Sequence, residues 1–259
     1  MLKRKTPEID ALGRGVYSAA EALRLINFSR GQGISRRSVA GQTISRWLNG
    51  YDYEVKGEKR HSAPLWRSDY ANNDGAVQEI SFRDLVELRF VKTFRDLGLS
   101  LPTIRDCFIR AVEEVNDERP FSTQKFRTDG KTIFLDIIRG VHEGELIDLR
   151  RSQAVFRSFI VPSLHDLEFD ADEVARWFPL GNGRTSIVID PARSFGRPVV
   201  RETGVPTETL ASAVRVEGSV ENVARLFGHS SYTGIIFRIA RLLRLRLPRC
   251  GAAVVLRHT

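Results

Sequence analysis

A chain of 259 residues can bury two or three small cores, and 42% hydrophobic with 28% charged residues describes a globular protein, neither disordered nor membrane-embedded. Its 40 Lys and Arg against 32 Asp and Glu leave a charge of +8, which favours polyanionic partners. The two cysteines, Cys107 and Cys250, are too few for a disulfide framework or a zinc site.

The charge is unevenly placed. Residues 1–70 and 225–259 are basic, and the last segment has seven arginines and no acid, while the middle is mildly acidic. That asymmetry fits a nucleic-acid-binding head joined to a protein-binding body. No run of about 18 apolar residues occurs, so no membrane partner is expected. No apolar stretch follows the basic opening Met1–Lys5, and the expected location is cytoplasmic.

In chain order, Ser18-Ala19-Ala20-Glu21 is a capping box opening a helix of about ten residues. A polar link with Ser29, Gly31 and Gly33 leads to a second helix that buries Val39, Ile44, Trp47 and Leu48 and stops at Asn49-Gly50. Tyr51–Val55 and Ala63–Trp66 read as strands flanking the basic turn Lys56–His61, a hairpin that would serve as a wing. Ser81 opens a helix to about Leu97, and Ser100-Leu101-Pro102 opens another carrying Ile104, Phe108, Ala111, Val112 and Val115. Cys107 reads as a buried thiol within it.

From 120 to 180, Thr132–Leu135 and Glu145–Leu149 read as short strands beside the turns Asp129-Gly130 and Glu143-Gly144. Phe156–Leu167 reads as helix, and the acidic residues Asp166, Glu168, Asp170, Asp172 and Glu173 as a helix-loop surface. Beyond a turn at Gly181–Gly183 come strands at Ile187–Asp190 and Gly196–Val200, a helix capped by Thr207, and a helix capped by Ser219.

The predicted fold class is α+β, mainly helical with small β elements. Residues 1–118 form a winged helix-turn-helix head with a helical hairpin, and 119–182 a small mixed middle region. Residues 183–230 form a compact helix-turn-helix-like domain, and 231–259 a basic amphipathic tail.

Two stretches carry a family resemblance. Tyr17–Ala22, Arg46-Trp47-Leu48, Ile80–Leu85 and Ser100–Arg105 resemble the MerR-like winged helix-turn-helix. Ile189-Asp190-Pro191, Gly196-Arg197-Pro198, Gly204-Val205-Pro206, Gly218-Ser219-Val220 and Val223–Phe227 resemble the small domain of unknown function in VapB-like antitoxins of type II toxin–antitoxin operons. The resemblance implies a chain that represses its own operon and neutralises a co-encoded PIN-like ribonuclease toxin.

The DNA-binding expectation rests on residue chemistry. Gln42, Thr43, Ser45 and Arg46 lie opposite the Ile44/Trp47/Leu48 face, and Gln and Arg can pair bidentately with adenine and guanine edges. Arg36 and Arg37 before the helix, with Lys56, Lys59 and Arg60 on the wing, would neutralise phosphates of double-stranded DNA. A homodimer on a palindrome in its own promoter, joined through the helical hairpin 81–115, completes the expectation. In the tail, Arg238, Arg241, Arg244 and Arg246 alternate with Ile239, Leu242, Leu243 and Leu245. The resemblance implies that these arginines would meet the metal-binding carboxylates of the toxin.

No P-loop, dinucleotide glycine pattern, nucleophile elbow or zinc spacing occurs, and the five histidines are scattered. Neither an enzyme nor a cofactor is expected. Two other readings remain open: an effector-responsive MerR-like regulator using 120–180, and a nuclease holding metal at 166–173.

Overall fold

The computed structural model describes residues 13–28, 39–72, 77–96, 99–141, 160–180 and 187–227. The fold is α+β: helices dominate, and the sheets among the described residues are four separate antiparallel pairs. No helix among those residues is long and apolar enough to cross a membrane.

Strand β1 (Tyr17–Ser18) pairs with β4 (Glu79–Ile80), and α1 (Ala19–Phe28) follows it directly. The capping box forms as its chemistry demands. Glu21 accepts from the Ser18 amide at 2.9 Å, and the Glu21 amide donates to the Ser18 hydroxyl at 3.3 Å. Helix α2 (Gly41–Asn49) buries Ile44, Trp47 and Leu48 against α1, whose buried residues are Ala22, Leu25 and Ile26. Asn27 ties the two helices together. Its side chain accepts from the Val39 amide at 2.8 Å and donates to the Val39 carbonyl at 3.0 Å, fixing the end of α1 beside the approach to α2.

Helix α3 (Phe82–Asp96) runs through the centre, and α4 (Leu101–Val115) follows, capped by the Ser100 hydroxyl accepting from the Thr103 amide. Phe90, Phe94, Phe108, Phe121 and Phe126 pack ring against ring at 4.9–5.8 Å. Cys107 is buried here, and burial pushes its thiol up to about 12, so it stays a protonated apolar filler.

The middle region departs from its sequence reading in two places. Asp129-Gly130 does not turn and Thr132–Leu135 is not a strand; both lie within helix α5 (Gln124–Val141). Phe126, Gly130 and Phe134 fall at i, i+4 and i+8, all buried, and a Cβ on Gly130 would sit 3.3 Å from the Phe126 ring. Glycine there makes room for an aromatic ring on a helix face. Past the short α6 (Val161–His165), the acidic stretch is a β-hairpin of β5 (Leu167–Asp170) and β6 (Glu173–Trp177), not a helix-loop. Glu145–Leu149 lies outside the described residues.

Strands β7 (Ile187–Val188) and β8 (Val199–Val200) pair, and helices α7 (Thr207–Glu217) and α8 (Val220–Leu226) pack on them. Thr207 is the first residue of α7 rather than its cap; Pro206 holds the cap position without a side-chain bond. Ser219 does cap α8, accepting from the Asn222 amide at 3.2 Å. This unit has its own small core around Val200, Leu210, Val214 and Val223, whereas residues from Tyr17 to Ile189 share one continuous core.

Glu87, fully enclosed on α3, accepts from the Ser122 amide at 2.9 Å through one oxygen, and its other oxygen has no partner. Burial pushes its carboxyl up to about 8, against the pull of Ser122, Arg83 and Arg119. The folded chain therefore holds a proton that the unfolded chain releases near 4.5. Stability is fullest below that value and falls as pH climbs through about 8. Glu87→Gln should flatten this slope, gaining about 4 kcal/mol on the native protein between pH 5 and pH 8.5. Urea unfolding at the two pH values checks it, and parallel profiles for both proteins would refute the assignment.

Candidate nucleic-acid interface

Helix α2 is amphipathic in a way that separates packing from chemistry. With Ile44, Trp47 and Leu48 buried, Gln42, Ser45, Arg46 and Asn49 fall at i, i+3, i+4 and i+7 on the opposite face, all four exposed. Thr43 lies between the faces, half-buried. Asn49 joins the polar face although its sequence signal was that of a helix stop. It donates to the Ser45 hydroxyl at 3.2 Å and accepts from the Val77 amide at 2.7 Å. The spacing of seven from Gln42 was the signal that could have found it.

Strands β2 (Tyr51–Val55) and β3 (Glu58–Ser62) leave α2 immediately through Gly50. Gly50 has φ 72°, and a Cβ there would meet the Ser62 carbonyl at 2.6 Å, so no other residue permits this exit. The turn is only Lys56-Gly57, both at positive φ (52° and 84°), as a two-residue hairpin requires. Glu58–His61, read from sequence as part of the turn, is strand instead, and Ala63–Trp66, read as the second strand, lies beyond it without strand pairing. The hairpin stands out from the body, with every residue from Asp52 to His61 exposed.

Arg105 of α4 anchors the base of this ribbon, donating to the carbonyls of Pro64 at 2.9 Å and Ala63 at 2.6 Å and to the Ser62 hydroxyl at 3.2 Å. Leu65 closes the connection, its amide donating to the Trp47 carbonyl at 2.8 Å. Helix and hairpin are thus joined at one edge. Lys56, Lys59 and Arg60 are exposed there, but three carboxylates are interleaved with them. Asp52 pairs with His61 at 2.7 Å, Glu58 with Arg60 at 3.4 Å, and Glu54 stands opposite Lys59. The wing is therefore charge-balanced rather than basic. Tyr51 and Tyr53 share one face of the ribbon with Glu58 and Arg60, their ring centroids 5.8 Å apart and the Arg46 guanidinium 5.2 Å from the Tyr51 ring centre.

Arg36 and Arg37 lie outside the described residues, as do Arg238, Arg241, Arg244 and Arg246 of the tail. So do Lys3, Arg4, Lys5 and Arg30, which with Arg36 and Arg37 makes six of the thirteen Lys and Arg of residues 1–70. For a two-fold contact, α3 offers no surface, because it is buried along nearly its whole length. Only the outer face of α4 remains from the helical hairpin, where Ile109 is 51% exposed.

The acidic stretch does not form a metal site. Asp166 accepts from Arg89 at 2.8 Å, Glu168 from Arg176 at 2.7 Å and Glu173 from Arg83 at 2.9 Å. Each of these three carboxylates is committed to a different arginine, and no metal-binding group of three side chains occurs among the described residues.

No family model matches the chain. It is 22% identical over 222 residues to a Mycobacterium tuberculosis protein named "Putative antitoxin VapB45", covering 82% of this chain and 88% of the relative. Its fold is similar to the X-ray crystal structure of Rv2018 from Mycobacterium tuberculosis, with a TM-score of 0.60, 20% identity, and coverage of 88% of this chain and 96% of that one.

Proposed function

We propose that this chain is the antitoxin of a type II toxin–antitoxin module, a protein that neutralises a PIN-like ribonuclease and represses its own operon. The observation that carries the reading is the similarity to a protein named as an antitoxin, which extends over 82% of the chain rather than one short domain. The head supports the second half of the role. An exposed Gln/Ser/Arg/Asn face on a short helix, joined rigidly to a projecting hairpin, is the arrangement a MerR-like winged helix-turn-helix needs to enter a major groove.

In this reading residues 1–118 bind double-stranded DNA of the chain's own promoter as a homodimer. Residues 119–182 brace the head, 183–230 form the antitoxin-associated module, and 231–259 contact the toxin through Arg238, Arg241, Arg244 and Arg246. The protein acts by binding in the cytoplasm, without catalysis and without a cofactor.

Co-expression tests the first half. Induction of the neighbouring PIN-like nuclease alone should arrest growth, and simultaneous expression of this chain should restore it and yield a co-purifying complex. Unrelieved arrest, with the chain present and folded but no complex recovered, would overturn the antitoxin reading.

A further inference from the structure

Where the head meets the C-terminal unit lies a cavity of about 150 Å³ that the DNA-binding reading does not use. Its walls come from three places. Helix α1 supplies Glu21, Arg24 and Leu25, the segment entering β8 supplies Arg197 and Pro198, and α7 supplies Thr207, Glu208 and Arg215. In α1 the three residues share one face at i, i+3 and i+4. In α7, Glu208 and Arg215 are seven apart, two turns along one face.

The charges do not cancel. The side chains of Arg24 and Arg197 donate no hydrogen bond to any described residue and form no ion pair with one, and among those residues the Arg215 side chain reaches only the Ser212 hydroxyl of its own helix at 2.9 Å. Glu21, held to the Ser18 cap through two contacts at 2.9 and 2.7 Å, stays charged: despite the opposing effect of burial, those bonds and the nearby Arg24 and Arg197 hold its carboxyl below the usual range. Three arginines therefore border one small space with two carboxylates, Glu21 and Glu208, which leaves one positive charge in excess. All three arginines are exposed at the rim of this space, and an anion seated between them would supply acceptors that match their planar forks.

The backbone that delivers Arg197 is itself unusual. Ser194, Phe195 and Gly196 take φ of 50°, 55° and 81°, three successive residues in the left-handed region. Such a turn persists only where its surroundings hold it. Here the Val16 amide donates to the Phe195 carbonyl at 3.1 Å and the Tyr17 hydroxyl to the Gly196 carbonyl at 2.7 Å. A Cβ on Gly196 would collide with that same hydroxyl. The head thus grips the strained turn directly before Arg197.

The geometry points to a binding site for a small oxyanion, of the phosphate or short dicarboxylate kind, clamped between Arg24 of the head and Arg197 and Arg215 of the C-terminal unit. The volume holds one such group, about five waters' worth of space. The flanking Glu21 and Glu208 disfavour an extended polyanion such as a nucleic-acid backbone. The site stands whether or not the head binds DNA, because none of the DNA-facing residues lines it.

Thermal unfolding of the full chain tests the inference, with inorganic phosphate and succinate titrated at constant ionic strength against sodium chloride. One of the two anions should raise the midpoint saturably, by roughly 5 °C at a hundredfold excess over its Kd. Arg24→Gln/Arg197→Gln should abolish the rise, and Arg215→Gln should weaken the half-saturating concentration at least tenfold. Which anion acts separates the phosphate from the carboxylate source. A rise matched by chloride, no rise with either anion, or a rise retained in the double variant would overturn the site. If the double variant is misfolded by circular dichroism, Arg197→Lys, which keeps the charge and loses the fork, should still bind with reduced affinity; unchanged affinity would count against the clamp.

Discussion

Replacing Asp84 by asparagine is expected to cost about 3–5 kcal/mol, a large fraction of the net stability of an ordinary domain. Asp84 is fully buried near the start of α3 and accepts four hydrogen bonds from three directions. Trp66 Nε1 donates at 2.8 Å, the Ser68 hydroxyl at 2.5 Å, the Asp69 amide at 3.1 Å and Arg119 Nε at 3.1 Å. Arg119 in turn reaches the Asp69 carboxylate at 2.8 Å and the Arg67 carbonyl at 2.7 Å. The carboxylate thus holds the chain leaving the wing against α3 and the turn after α4. An asparagine would present an amide to at least one donor and leave the buried Arg119 guanidinium with the Asp69 carboxylate as its remaining close partner. Urea unfolding measures the loss. The companion variant Arg119→Met in the Asp84→Asn background should recover part of it, since a buried guanidinium short of one carboxylate costs more than an apolar side chain in its place. A cost below about 1 kcal/mol for the single change would show the network to be dispensable.

That network also shows what the sequence could and could not convey. Caps and turns are local, and the Ser18, Ser100 and Ser219 caps and the glycine exit at Gly50 follow from neighbouring residues alone. The polar face of α2 was legible for the same reason: helical period fixes which side Gln42 and Arg46 take once Ile44, Trp47 and Leu48 are buried. Asp84 with Arg119, 35 positions apart, and Arg105 with Ala63, 42 apart, have no local signature. Helix α5 was hidden by a conflict. A glycine and β-branched residues favour a turn and strand locally, but Phe126 and Phe134 gain more by joining the aromatic core along one helix face. The hairpin β5–β6 was obscured by attending to its acids rather than to the alternation of Leu167 and Phe169. The wing's charge was misjudged because cations were counted without the three carboxylates woven between them.

Gln42→Ala/Arg46→Ala should cut affinity for the chain's own promoter by about 10²- to 10³-fold while leaving affinity for random duplex almost unchanged. The difference follows from what the two side chains can touch. At 1.5 Å per residue, the nine residues of α2 span about 13 Å, a length that fits a major groove. Residues 42 and 46 are one turn apart on its exposed face, so both reach base edges in the same approach. Each bidentate base contact is worth about 1–3 kcal/mol of discrimination, whereas non-specific affinity comes from phosphates. Lys59→Ala/Arg60→Ala is the contrasting pair, because the wing can meet only the backbone. It should weaken all duplexes alike and lower the log–log salt slope by about 1–2, less for Arg60 because Glu58 already shares its charge. Gel shifts on promoter and random DNA at several salt concentrations separate the two effects. If the α2 pair weakens both duplexes equally, the helix lies along phosphates and specificity resides elsewhere. If neither pair changes either affinity, the edge of helix and hairpin does not face DNA at all, and the repressor half of the proposed function falls with it.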